Sequence, residues 1–282
     1  MRNGFKMTIN RTVELIDFYQ LNNDLITEVV NHEVASTVTN LNSLFDNSYA
    51  IRSRPQIENL LSSINIRLRR LQMINSSYFK DLKLSIINGS NIELPFKADY
   101  TFFFETNVLI NNIDINSSDL YKEIIDGQFQ TFILTTASVY ENIVRLIEIL
   151  SRKIIIHKTQ LPPLNTPFLT YLDFLDSLIR LKYRNDDPLK RCTDRFSSFF
   201  TTYLPTVNSL RNSFIHGFNS NLEYRSNSYR ITKHQRPLTE LSPQLDMLDF
   251  CENITDNSIN FYRDLINVLI AEVTSSSIGI PF

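Results

Sequence analysis

Arg211, Asn212 and His216 fall within the stretch LRNSFIHGF, residues 210–218. Together they hold the groups that acid–base chemistry on a phosphate ester would use. Arginine is a planar, permanently charged fork that matches phosphate oxygens. Histidine changes its charge near neutral pH, so it can take or give a proton. On a helix Asn212 and His216 are four residues apart and share a face, so the Asn amide can fix the imidazole's orientation. Arg211 and His216, five apart, are separated by about 140° of rotation and flank that face from different sides. Gly217 has no Cβ and permits a close approach by another chain segment.

The spacing Arg-x4-His occurs again at Arg152 and His157 in RKIIIH. There Lys153 replaces the Asn, Lys158 replaces the Gly, and LPP follows within a few residues. That copy reads as the solvated end of a helix. One convincing set per chain supplies one imidazole, whereas displacement at phosphorus needs an acid and a base on opposite sides. Two-fold symmetry would bring in a second His216.

The elements that must position these residues are mostly helical. Residues 8–46, with apolar residues recurring at three- and four-residue spacing, read as a helix. Pro55 suits the first turn of a second helix, with Ile57, Leu60, Leu61, Ile64 and Leu68 as its stripe and the basic run RLRR, 67–70, at its C-terminal end. LKLSIINGSNIEL, 82–94, alternates around Asn88-Gly89 and predicts a hairpin. Residues 99–112 fit a helix capped by Asp99 or a Phe-rich strand. From Ser118 a helical stripe of Phe129, Phe132, Ile133, Thr136, Val139, Tyr140, Ile143 and Ile147 predicts one helix over 119–157, or two broken near Gly127. LPPLNTP, 161–167, breaks the pattern. Helices follow over 168–183 and 188–203, then the stretch after Pro205. NLEYRSNSYRITKH, 221–234, alternates around Ser-Asn-Ser as a second hairpin. A last helix covers 243–273. The fold class is therefore mostly α, with an N-terminal helical region, 1–116, and a helical bundle, 117–282.

Composition narrows the function classes. The 282 residues are 43% hydrophobic, enough for a substantial core, and the net charge of −2 excludes a polybasic nucleic-acid coat. Cys192 and Cys251 form no CxxC pair and no zinc-ligand spacing, as expected of buried thiols in a reducing compartment. Neither a secretory h-region nor a membrane-length apolar run is visible, so a cytoplasmic location is expected.

Arg211-Asn212-Ser213-Phe214-Ile215-His216, followed by Gly217 and Phe218, resembles the Arg-polar-x3-His signature of the HEPN superfamily. The resemblance covers residues 118–273, with the helix over 119–157 as the bundle's first. It implies a HEPN-like helical bundle and a metal-independent endoribonuclease with Arg211, Asn212 and His216 as catalytic residues. It further implies a homodimer with the motif at its seam, RNA as substrate, and products with 2′,3′-cyclic phosphate ends. No cofactor and no metal are expected. Toxin or phage-defence biology, with a regulatory protein partner, follows by analogy only. The alternative is a catalytically silent HEPN-like binding or regulatory protein. Phe218 departs from the toxins paired with nucleotidyltransferases, which carry Tyr there, and the chain is longer than those compact proteins.

Two further groups bear on RNA. Arg225, Arg230, Lys233 and Arg236, interleaved with Tyr224 and Tyr229, offer phosphate contacts and base stacking, or form a solvated hairpin. Glu141, on the long helix, matches the acidic residue that supports the motif arginine in some HEPN families. Its competing role is an ion pair with Arg145, four residues on.

Overall fold

The computed structural model describes residues 15–39, 48–80, 117–153, 188–215, 222–225, 228–231 and 246–278. The predicted hairpin at 82–94, the ambiguous stretch at 99–112, the breaker at 161–167, the helix at 168–183 and His157 lie outside them.

The helix expected from residue 8 starts only at Tyr19, since residues 15–18 are not helical; this helix, α1 (Tyr19–Thr39), opens beside Asp17, whose Oδ1 accepts the Tyr19 N–H at 3.0 Å and the Asn65 amide at 3.1 Å. Those bonds, the Asn65 one foremost, hold the Asp17 carboxyl below the usual carboxylate range. Phe18, Asn22, Leu25 and Val29 form the buried face that the helical period anticipates.

Helix α2 (Ser48–Ile74) buries Ile57, Leu61, Ile64, Leu68, Leu71 and Ile74 along one stripe. It begins a full turn or more before Pro55, which lies inside it. It also runs past RLRR, because Leu71 and Ile74 continue the apolar stripe and burial carries the helix on. A single π-helical turn, Asn75–Phe79, then extends it.

Helix α3 (Ser117–Lys153) is one continuous helix through Gly127. A lone glycine costs a helix about 1 kcal/mol. Ile125 and Phe129 on either side are fully buried, and each such side chain contributes roughly 1.5–3 kcal/mol. Packing therefore wins.

The helix expected over 188–203 is two short ones, α4 (Pro188–Arg195) and α5 (Ser197–Thr202). The break is at Phe196, with φ −103° and ψ 9°. It lets Phe196 and Phe200 both meet Phe261, at 5.4 and 4.8 Å between ring centroids. Helix α6 (Leu204–Ile215) follows, with Pro205 in its first turn where no N–H is missed. Strands β1 (Leu222–Arg225) and β2 (Ser228–Ile231) form the antiparallel pair expected over 221–234, with Leu222 opposite Ile231 and both buried. Asp246 caps α7 (Met247–Ile278) by accepting the Leu248 and Asp249 N–H groups at 2.9 and 3.1 Å.

The fold is thus a mostly-α helical bundle. Helix α2 packs on α3, α1 on α7 and α2, α4 and β2 on α7, and α6 on α3. Helices from both sides of the expected boundary at 116/117 contribute to a shared hydrophobic core. Buried polar pairs cross it. Tyr140 and Ser258 hydroxyls lie 2.9 Å apart, and the Tyr262 hydroxyl donates to Asn22 Oδ1 at 2.9 Å. Among the described residues no helix is long and apolar enough to cross a membrane.

Candidate active site

Helix α6 is seated through Leu204, Val207 and Leu210, which are buried three residues apart on one face. Phe214 continues that face and meets the edge of Phe129 on α3, with centroids 6.3 Å apart and planes at 89°. This arrangement sets where the next side chains fall. Arg211, adjacent to Leu210, comes to the margin of the buried face. Its Nη2 lies 2.7 Å from Glu141 Oε1 on α3. The later α6 residue meets the earlier α3 residue, so the two helices run in opposite directions.

The Arg211 and Glu141 side chains are 26% and 28% exposed, so the pair is partly withdrawn from water. A charge-assisted hydrogen bond in such surroundings is stronger than a neutral one. Of the two partners the sequence offered Glu141, the contact formed is with Arg211; Arg145 is exposed.

The other candidate residues are placed less fully. Asn212 is exposed on α6. His216, Gly217 and Phe218 lie outside the described residues, as do Lys233 and Arg236. Arg225 and Arg230 occupy the two strands, with Arg225 in register with Ser228 and Arg230 with Glu223. An acidic position thus stands directly across from Arg230, a neighbour the sequence pattern of 224–238 did not include. Tyr224 is in register with Tyr229.

No family model, curated protein or solved structure matches this chain.

Other groups bear on the chemistry the chain can offer. Ser209, two residues before Arg211, has a buried hydroxyl oxygen with no hydrogen-bond partner. The sequence signal for it was a serine between the apolar positions Val207 and Leu210. The thiols are poor nucleophiles. Burial foremost, then the charge of Asp264, pushes Cys192 up to about 12. Burial, then Asp246, also raises Cys251 well above the ordinary thiol value. Both stay protonated at neutral pH, and the thiolate is the reactive form. Burial lowers His32 on α1, which keeps that imidazole neutral at pH 7. Among the described residues, no three His, Cys, Asp or Glu side chains converge as a metal-ligand group.

Proposed function

We propose that this chain is a metal-independent endoribonuclease of HEPN type, acting as a cytoplasmic homodimer in toxin or phage-defence biology. The observation that carries the reading is the Arg211–Glu141 pair, 2.7 Å between α6 and α3. It joins the motif arginine to an acidic residue on the long helix, within a mostly helical bundle. Glu141 holds the guanidinium at the edge of the apolar face, ready for a phosphate to exchange for the carboxylate.

In the proposed reaction the RNA 2′-hydroxyl attacks the adjacent phosphorus, and one imidazole takes its proton. The O2′–P bond forms and the P–O5′ bond breaks. The leaving 5′-oxygen is protonated by His216 of the second subunit. Arg211 stabilises charge building on the phosphoryl oxygens. Asn212 orients the imidazole. Arg225, Arg230, Lys233 and Arg236 hold the strand by its phosphates.

The test is incubation of the pure protein with mixed RNA in chelator. Cleavage should persist, leave 2′,3′-cyclic phosphate and 5′-hydroxyl ends, and fall about 100-fold or more in His216→Ala and Arg211→Ala. Asn212→Ala should lose less. Cleavage that stops in chelator, or leaves 3′-hydroxyl ends, overturns the reading. Activity should also fall on dilution through the dimer dissociation constant.

One observation favours a second reading, a catalytically silent binding protein. The Arg211 charge is already answered within the chain by Glu141. In that case RNA is bound but not cut, and His216→Ala changes nothing.

A further inference from the structure

The basic run RLRR, 67–70, would suit a helix C-terminus, but α2 runs on to Ile74 and the π turn to Phe79. The run is therefore interior, and the helix dipole does not account for it. Arg67 donates to the Ser63 carbonyl at 3.3 Å, and Arg69 lies near enough to Asp17 to help lower its carboxyl. Arg70 is exposed and has no hydrogen bond or ion pair among the described residues. The same holds for Arg145 on α3. Glu141, its partner by the local rule, is engaged by Arg211, and Glu148, three residues on, does not take its place.

The neighbouring helices fix where these two arginines stand. Glu141 meets α6 through Arg211 at 2.7 Å, and Asn142 meets α2 through Ser63 at 3.1 Å. Consecutive helical positions differ by about 100°, so α6 and α2 flank α3 on two sides and leave a strip of α3 between them. Arg145 and Ser138 fall about 40° and 60° round from Glu141, inside that strip. Arg145 is exposed there and Ser138 half-buried, while Tyr140, Ile143 and Ile147 point the other way into the core. Ser63 meets Asn142 and the later Phe79 meets the earlier Phe132, so α2 and α3 are antiparallel. Arg70 is seven residues past Ser63, on nearly the same face and about 10 Å along α2. It therefore edges the strip level with residues 134–138. Arg145 stands about 15 Å from that level along α3, and the Arg211 guanidinium lies between, at Glu141.

We infer that this strip is the path of a single RNA strand to the motif, with Arg70 and Arg145 holding backbone phosphates on either side of Arg211. The inference rests on the ribonuclease reading and adds to it two binding residues and the form of the substrate. Each guanidinium is a fork that matches phosphate oxygens, and cations set in sequence along a groove track a backbone. Packed helices lie about 8–10 Å apart, so the strip between α2 and α6 is about one helix wide. That is too narrow for a duplex, one groove of which is wide enough to hold a helix. Glu148 sets a negative charge beyond Arg145 and bounds the path on that side.

The probe is a labelled single-stranded oligouridylate, added to the full chain carrying His216→Ala so that it is bound and not cut. Fluorescence anisotropy against salt should show Arg70→Gln and Arg145→Gln each weakening binding about three- to tenfold. Each should also lower the salt slope by about 0.7, the single-strand value for one phosphate contact. Arg70→Lys and Arg145→Lys should keep most of the slope, since lysine still meets a phosphate as a point charge. With His216 restored, the two Gln variants should raise KM on mixed RNA and leave kcat near the parent's, as expected of a contact made equally before and during reaction. Arg191→Gln, exposed on α4, should change neither affinity nor slope. Both test residues are exposed, and unchanged far-UV circular dichroism and melting temperature establish that the variants fold. A parent that cuts RNA while both Gln variants keep its affinity and slope overturns the strand path and leaves the ribonuclease reading standing. A chain that binds the probe through Arg70 and Arg145 but never cuts supports the path and overturns the ribonuclease reading. Absent binding overturns both, and tighter binding of duplex RNA than of the oligouridylate overturns the path.

Discussion

Glu141 and Arg211 lend themselves to a double-substitution cycle, because the size of their coupling can be worked out in advance. Two unit charges about 4 Å apart attract by about 4 kcal/mol at the effective dielectric of a protein surface. Both side chains are about a quarter exposed, so water screens part of that. Holding an arginine in one geometry costs up to about 2 kcal/mol of rotamer entropy. The coupling left over is about 1–2 kcal/mol, above the range of a fully exposed pair and below that of a dry one. Glu141→Gln, Arg211→Gln and the double variant would be unfolded in urea beside the parent. Circular dichroism and tyrosine fluorescence should give coincident transitions, so that the free energies can be compared. Each single substitution should destabilise, and the double should cost less than their sum. A coupling below about 0.3 kcal/mol, the usual scatter for independent sites, would refute the argument that this pair fixes α6 to α3.

Gly127→Ala should stabilise the chain by about 1 kcal/mol, because the glycine is mid-helix and an added Cβ meets nothing within 4 Å. A melting temperature that stays level or falls would contradict this. Cys192 should resist alkylation at pH 8 in the folded protein, and labelling there before unfolding would show the thiol is not protected. Its folded value of about 12 lies above the ordinary thiol value of 9.0. The associated stability is therefore complete below pH 9 and lost as pH rises toward 12, a decline that Cys192→Ala should reduce in denaturant midpoints measured against pH. Replacing Arg230 and Lys233 by Ala should weaken RNA binding alike for all sequences and lower its salt slope by about one or two units; an unchanged slope makes the hairpin a plain connection.

What the sequence disclosed depended on how local each cause was. The stripes of α2 and α3 were legible because burial repeats with the helical period, as at Ile57, Leu61, Ile64 and Leu68. The continuity of α3 through Gly127 was open, since a glycine's local cost must be set against packing by Ile125 and Phe129. The start of α2 was misplaced because Pro55 is a helix opener by rule but lies inside this helix. The break at Phe196 had no glycine or proline to announce it. It follows from where Phe261, on a distant helix, offers its ring. The π turn was equally silent, apart from the weak helix formers Asn75 and Ser76. At the candidate site, Glu141 was named through the HEPN resemblance, as the acidic residue that supports the motif arginine. Its partner required tertiary information, because the local rule favours Arg145 and the fold brings Arg211.

Apolar stripes alone would let two helices slip past each other by one turn, about 5.4 Å, with little change in area removed from water. The crossing hydroxyls do not allow that. A slip of α3 would separate Tyr140 from Ser258 on α7, and Asn142 from Ser63 on α2, whose Oγ accepts its amide at 3.1 Å. The Tyr140 and Ser258 hydroxyls are buried, and a buried group so stranded costs about 1–3 kcal/mol; Asn142 and Ser63 are half-buried and cost less. These pairs act as detents that index the height of the helix in discrete steps. Glu141 sits between the two indexed residues. Its carboxylate therefore faces α6 at one set level, and Arg211 is positioned against a fixed mark rather than a sliding one.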